Sequence, residues 1–178
     1  MIMRLFILSL LIPCFCFSQK LFIDQSNLSF FSWAPIEDIS AISNKLEGVV
    51  DFNSGDFFFR APINAFVFPS SLMQKHFNEK YLESDVYPTS YFKGKFMEKI
   101  SILENQSKII DATGILSIHG VEQDVSIQTI LNIENEKVTF SSEFQVFLRD
   151  YKIKVPKIVR MNIADTIDVK VSGNLVPK

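Results

Sequence analysis

Apolar and polar residues alternate along most of the chain, which is the pattern of β-strands that bury one face. Three long runs show the alternation most clearly: DVSIQTILNI (residues 124–133), KVTFSSEFQVFL (137–148) and TIDVKVSGNLV (166–176). Ile130 is the exception on the polar face of the first run. These segments are therefore predicted to be amphipathic strands of one sheet.

The connections between such runs are short and polar. The segments SGD (54–56), ENQS (104–107) and ENEK (134–137) each separate two apolar runs and have the length of hairpin loops. Counting the runs from residue 27 onward predicts about eight strands in antiparallel, up-and-down order. Eight strands can close into a barrel with room for one small ligand, and closure removes the exposed sheet edges. The sequence predicts an all-β fold, an eight-stranded antiparallel up-and-down β-barrel with one or two short helices.

The first predicted helix is PIEDISAISNK, residues 35–45. Its isoleucines Ile36, Ile39 and Ile42 are spaced three apart, and Pro35 stands at its start. This spacing indicates a single apolar stripe.

A second helix is predicted to begin at Ser71, which forms a capping-box pattern with Gln74. It is expected to end between Asp85 and Pro88. One face of this helix carries large apolar side chains, Met73, Phe77 and Tyr81. We expect that face to lie against the sheet or to cover one end of the barrel.

Residues 57–68 are apolar on both faces of the predicted strand. One face holds Phe57, Phe59, Ile63 and Val67, and the other holds Phe58, Phe66 and Phe68. The pattern leaves open which face points into the barrel, and it requires some element to cover the outer one.

The first eighteen residues have the pattern of a cleavable secretory signal peptide. Arg4 supplies the positive charge, Leu5–Phe17 is a short apolar run, and Cys16 and Ser18 are the small residues before the cut. The prediction is a signal peptide over 1–18, one domain over 19–178, and a periplasmic or secreted location. Both cysteines fall in the signal peptide, so the mature domain is expected to hold no disulfide and no thiolate.

Composition argues against several functional classes. The formal net charge is −2 and the basic residues are scattered, so nucleic-acid binding is not predicted. His76 and His119 are the two histidines, and their spacing matches no metal motif. The chain has no nucleophile-elbow motif and no glycine-rich phosphate loop. We therefore predict no catalytic residues, metal or cofactor, and expect His119, beside Gly120, to bond backbone at a turn. A hydrolase or isomerase using either histidine is the less favoured reading.

The chain contains 18 phenylalanines, which is its main compositional excess. Spacing alone leaves two explanations open. The rings either fill a packed core or line a cavity for a long apolar ligand.

Four segments resemble the YceI-like, polyisoprenoid-binding family: LMQKHFNEKYLESDVYPTSYFKGKF (72–96), ATGILSIHGVEQDVSI (112–127), LRDYKIKVPKIV (148–159) and ADTIDVKVSGNL (164–175). The resemblance covers nearly the whole predicted mature chain. It implies a lipocalin-like barrel with the helix beside it and an elongated apolar cavity for an isoprenoid chain, such as a quinone tail. It also implies export to a periplasm. Residues 28–55 lack the histidine-containing first strand of many members, which places the chain in a divergent subgroup.

The leading hypothesis is an exported protein that holds a polyisoprenoid or similar long-chain lipid inside the barrel for carriage, storage or sensing. The alternative is a packed-core barrel that acts as a surface or partner-interaction module without a lipid. Transient membrane contact and a homodimer are both compatible with the leading hypothesis. The predicted ligand-binding lining is Phe57, Phe59, Ile63, Val125, Ile127, Leu131, Phe140, Phe144, Val146, Ile167, Val169 and Val171.

Overall fold

The described residues form nine strands in one antiparallel sheet, which closes into a barrel because its first strand, Lys20–Ser32, pairs with its last, Thr166–Val176. The computed structural model describes residues 20–33, 38–155 and 165–178. In chain order the strands are β1 Lys20–Ser32, β2 Ile39–Ser43, β3 Glu47–Asp51, β4 Asp56–Pro62, β5 Thr89–Lys95, β6 Gln106–Ile118, β7 Val121–Glu134, β8 Lys137–Phe147 and β9 Thr166–Val176. Helix α1 spans Ser71–His76 and continues as a π-helical turn over Phe77–Tyr81.

The closed ring has eight positions although it contains nine strands. One edge of β1 pairs with β2 over Leu28–Ser32 and with β3 over Lys20–Phe22, while its other edge pairs with β9. Strands β2 and β3 therefore occupy one position as two halves of an interrupted strand. The predicted eight-stranded antiparallel barrel is confirmed.

The helix predicted over 35–45 was wrong in its described part, because residues 39–43 form strand β2. Ala41 and Ser43 are buried, and Ile42 between them points outward. The backbones of Ile42 and Val67 exchange two hydrogen bonds, of 3.1 and 2.8 Å. Isoleucine suits a pleated surface, and pairing on both edges outweighs the three-residue spacing. Residues 34–37 lie outside the described part of the chain.

The two-faced run 57–68 is not one strand. Strand β4 ends at Pro62, and Ile63–Ala65 forms a 3-10 helix. The Phe57 and Phe59 face points into the barrel, whereas Phe58 is 40% exposed on the outside. Because the 3-10 helix turns the chain, Phe66 and Phe68 are not on the outer face but pack in a separate cluster with Phe30 and Phe77.

Helix α1 is capped by Ser70, one residue before the predicted cap Ser71. The Ser70 hydroxyl accepts a hydrogen bond from the Met73 amide at 3.4 Å, and the Gln74 side chain accepts one from the Phe68 amide at 3.3 Å. The bond from Met73 satisfies one of the amides that a helix start leaves without a partner, and the bond from Phe68 ties the preceding segment to the helix. The Phe77 ring then packs on Phe68, with 4.9 Å between ring centroids, so the helix covers the barrel beside β1 and β2.

The predicted signal peptide, residues 1–18, lies outside the residues that the structure describes, the first of which is Lys20. Within the described ranges, none of the helices has the length and apolar character needed to cross a bilayer.

Candidate ligand cavity

The barrel encloses a cavity of about 570 Å³. This volume lies within the roughly 300–1,000 Å³ typical of small-molecule sites. One end is closed by buried side chains that do not reach the cavity, among them Leu21, Ile100, Ile133 and Val138. Inward-facing Val169 and Val171 are only half-buried, because they face empty space. The geometry favours a hollow barrel over the packed-core alternative.

Eleven of the twelve side chains predicted as lining lie on the cavity wall. They are Phe57, Phe59, Ile63, Ile127, Leu131, Phe140, Phe144, Val146, Ile167, Val169 and Val171. Four strands (β4, β7, β8 and β9) and one 3-10 helix bring them together, because alternate residues of each strand face the barrel interior. Their contact with a ligand stays a prediction.

Val125 is the exception and does not lie on the cavity wall. It is half-buried on β7 and packs against the cluster that contains Leu148 and Tyr151. The 3-10 helix Leu148–Tyr151 lies on β7 there, and the Gln123 side chain donates a hydrogen bond to the Asp150 carbonyl at 2.8 Å. Because this segment covers Val125, a ligand in the cavity would not contact that side chain.

Several wall residues were missing from the sequence prediction. Phe92 on β5, Ala112 and Leu116 on β6, and Phe30 on β1 all line the cavity. Alternation within their strands was the signal that could have found them. The wall also takes Met73 and Phe77 from the helix, which strand alternation alone could not indicate.

The sequence left open whether the phenylalanines fill a packed core or line a cavity, and the structure shows both arrangements. Phe52 and Phe96 are buried in the core cluster, with ring centroids 5.8 Å apart, and also border the cavity. Phe59 contacts Phe140 on the cavity wall at 5.6 Å between centroids, and Phe57 contacts Phe92 at 4.8 Å. The wall is therefore largely aromatic and suits an apolar chain.

The cavity opens between helix α1 and the β4–β5 wall. Among the described lining residues, Leu72 on α1 and Arg60 on β4 are the exposed ones. The Arg60 guanidinium is paired with the Glu47 carboxylate at 2.7 Å. His76 also lines this side. The opening is consequently apolar on the helix side and carries a neutralised ion pair on the strand side.

His119, at the β6–β7 turn, contacts the loop that follows the helical turn and the 3-10 helix Leu148–Tyr151. Its Nε2 lies 2.8 Å from Glu83 Oε2, its Nδ1 lies 3.3 Å from the Tyr151 carbonyl oxygen, and its ring packs edge-on against Tyr87 at 4.7 Å. Gly120 has φ +70°, and a Cβ there would lie 2.4 Å from the Tyr87 ring. The histidine thus bonds a carbonyl 32 residues away as well as Glu83, rather than its own turn.

Burial raises the pKa of Tyr151 to about 12, with a further contribution from the charge of Asp150. Burial also raises the pKa of Tyr81, which lines the cavity. Both phenols therefore stay neutral at ordinary pH. In the part of the chain that the structure describes, no three His, Cys, Asp or Glu side chains come together as a metal site.

Comparison with known proteins gives one family match. The family model described as YceI-like domain matches residues 22–175. No curated protein matches the chain.

Several solved structures share the fold at low sequence identity. A polyisoprenoid binding domain from Saccharophagus degradans, implicated in plant cell wall breakdown, is similar with a TM-score of 0.76 at 13% identity, covering 90% of this chain and 99% of that one. Burkholderia cenocepacia BcnA is similar with a TM-score of 0.72 at 14% identity, covering 85% and 96% of the two chains. The Campylobacter jejuni YCEI protein gives 0.64 at 15% identity, covering 82% and 90%.

Proposed function

The chain belongs to the YceI-like domain family, and we propose that it is an exported binding protein that holds one long-chain lipid, a polyisoprenoid or a similar chain, inside its barrel. The observation that carries this proposal is the apolar cavity of about 570 Å³ that opens beside α1. The similar domain from Saccharophagus degradans is described as polyisoprenoid-binding, which supports the ligand class. We propose binding for carriage, storage or sensing rather than catalysis, because the wall offers mainly apolar contact.

Energetics favour such an exchange role. Each methylene removed from water contributes about 0.8 kcal/mol, so a long tail nominally gains more than the roughly 20 kcal/mol limit of non-covalent binding. In a cell the tail already lies in a membrane, so moving it into the barrel changes its apolar surroundings little. The free energies of the lipid in the membrane and in the barrel should then be nearly equal, so small changes in lipid concentration can shift the protein between uptake and release.

Cavity volume predicts a limit to the useful chain length. If each chain carbon occupies about the 30 Å³ that a water molecule takes in the liquid, the cavity holds roughly twenty carbons. Across a homologous series of isoprenoid alcohols, we expect affinity to rise with length up to roughly that size and then to level off. The affinity for each alcohol is measured by its displacement of the fluorescent hydrocarbon diphenylhexatriene from the protein. Absence of saturable diphenylhexatriene binding, together with no binding of any alcohol, would contradict the proposed function.

Export is supported by the charged, apolar and small-residue order of residues 1–18. N-terminal sequencing of the protein from its natural host is expected to begin at Gln19. A chain that retains Met1 would exclude this part of the proposal.

Lipid exchange further requires contact with a bilayer, and we assign this contact to the rim of the cavity. Leu72 is 60% exposed and also lines the cavity, so a lipid could pass over it without entering water. Trp33 is 67% exposed and directly follows Ser32, another lining residue. Tryptophan favours the interface between lipid and water. Lys75, three residues after Leu72, adds a positive charge suited to anionic headgroups.

Replacing Leu72 with aspartate is expected to slow lipid transfer from anionic vesicles about tenfold, because it puts a charge where the bilayer must contact the rim. Affinity for a detergent-dispersed lipid should change less. Stopped-flow transfer from vesicles that carry a quenched fluorescent lipid measures the rate. Leu103→Asp, at another exposed leucine outside the cavity lining, is the matched control. Equal transfer rates for the two variants would contradict this contact.

A further inference from the structure

A pair of hydrogen-bonded hydroxyl groups lies on the largely apolar wall of the cavity. Thr129 on β7 and Ser142 on β8 lie opposite each other in the strand register, and their side-chain oxygens are 2.8 Å apart. Both residues line the cavity, and Ser142 is 7% exposed. Their neighbours on the same face are apolar, Ile127 and Leu131 on β7 and Phe140 and Phe144 on β8.

The pair lies halfway along the barrel axis. On β8, Ser142 is four residues from Val138 at the closed end and four from Val146 in the cluster at the opposite end. At about 3.3 Å per residue, it is roughly 13 Å from each. A ligand that fills the cavity must therefore pass the pair.

In the part of the chain that the structure describes, one of the two hydroxyl protons lacks a hydrogen-bond acceptor at good distance. Two hydroxyls carry two protons, and the bond between Thr129 and Ser142 uses one. Among the described residues, the other hydrogen-bond partner of this pair is the Ile127 carbonyl, 3.4 Å from the Thr129 hydroxyl and in the same strand. That distance is long for an O–H···O bond. A ligand oxygen would offer a better acceptor, in surroundings where an unmade bond is costly.

Charges on the wall argue for a neutral ligand group. Among the described lining residues Arg60 is the one lysine or arginine, and the Glu47 carboxylate already pairs with it at 2.7 Å. Hydroxyls bind neutral carbonyl and hydroxyl oxygens without a compensating charge.

Building on the proposed function, we propose that the bound lipid carries a neutral carbonyl or hydroxyl oxygen that bonds Thr129 and Ser142 at mid-depth. The barrel then selects oxygen-bearing long-chain lipids over plain hydrocarbons. A chain with oxygen only at the outer end would miss this pair.

A matched pair of ligands tests the selection: a long-chain ketone with a central carbonyl and the alkane of equal length. Both compete with diphenylhexatriene for the full-length protein. We expect the wild type to bind the ketone about fivefold more tightly than the alkane, as one net neutral hydrogen bond would give. Thr129→Val combined with Ser142→Ala should abolish this preference.

The outer face of the barrel provides a matched control. Thr113 and Ser126 form a similar cross-strand hydroxyl pair, 3.4 Å apart and exposed. Thr113→Val with Ser126→Ala should keep the ketone preference. Thr129→Ser, which retains a hydroxyl, should keep it as well, even if the double variant folds poorly.

Each outcome decides the proposal. Equal binding of ketone and alkane by the wild type would overturn it while leaving the proposed function in place. A ketone preference that persists in the folded Thr129→Val, Ser142→Ala variant would do the same. If diphenylhexatriene and both ligands fail to bind the wild type, the proposed function fails and this inference fails with it.

Discussion

Replacement of Val169 by tryptophan is expected to weaken lipid binding by more than tenfold while the barrel stays folded. Val169 lies on β9, faces the cavity and is only half-buried, so the larger side chain can extend into the void instead of into packed neighbours. There it occupies space that a ligand would fill. Displacing only two methylene-sized groups costs about 1.6 kcal/mol, which already exceeds tenfold in affinity. Displacement titration with diphenylhexatriene measures the change.

The adjacent position supplies the control for this substitution. Lys170 lies on the same strand, points outward and forms an exposed ion pair with Glu143 at 2.9 Å. Lys170→Trp adds the same ring on the outside and removes a surface pair that contributes little to stability, so lipid affinity should stay at the wild-type value. Equal affinities of Val169→Trp and wild type would show that the lipid does not occupy this part of the barrel.

His119→Ala is expected to lower the free energy of unfolding by about 2 kcal/mol, and the melting temperature by roughly 4–8 °C. The substitution removes the bonds to Glu83 and to the Tyr151 carbonyl, together with the ring contact to Tyr87. These contacts join the loop after the helical turn to the β6–β7 hairpin and to the 3-10 helix Leu148–Tyr151. Urea and thermal unfolding measure the loss.

A second histidine variant separates this loss from a general effect of histidine removal. His76 is half-buried at the open side of the cavity, and His76→Ala should change stability by less than about 1 kcal/mol. A double-mutant cycle of His119→Ala with Glu83→Gln should give a coupling energy of about 1 kcal/mol, because the two side chains are in direct contact. Additive effects and an unchanged melting temperature for His119→Ala would contradict the assigned role.

Alternation was sufficient to predict the strands whose two faces differ clearly. The run 166–176 matches β9 residue for residue, and the hairpin at 134–137 joins β7 and β8. The sequence pattern was misleading at residues 39–43. Isoleucines spaced three apart suit the apolar stripe of a helix, but they also suit a strand that is paired on both edges. Pairing partners distant in sequence decided between the two, and local spacing contains no information about them.

The hollow interior could not be derived from alternation. A packed barrel and a hollow barrel present the same inward residues, and the difference depends on how far opposite walls stand apart. Alternation placed Val169 and Val171 on the inward face, but the space between the walls was not predictable from their spacing. Val125 shows the same limit, because the segment that covers it comes from residues 148–151. The family resemblance, rather than periodicity, supplied the expectation of a cavity.

Native mass spectrometry of the mature protein, after incubation with lipid vesicles and removal of the vesicles, tests the central claim most directly. The predicted result is a protein ion with one added mass, which is released on activation as a single long-chain lipid. Val169→Trp should give the bare protein mass under the same conditions. A wild-type protein that remains entirely at its bare mass would contradict a lipid-holding barrel.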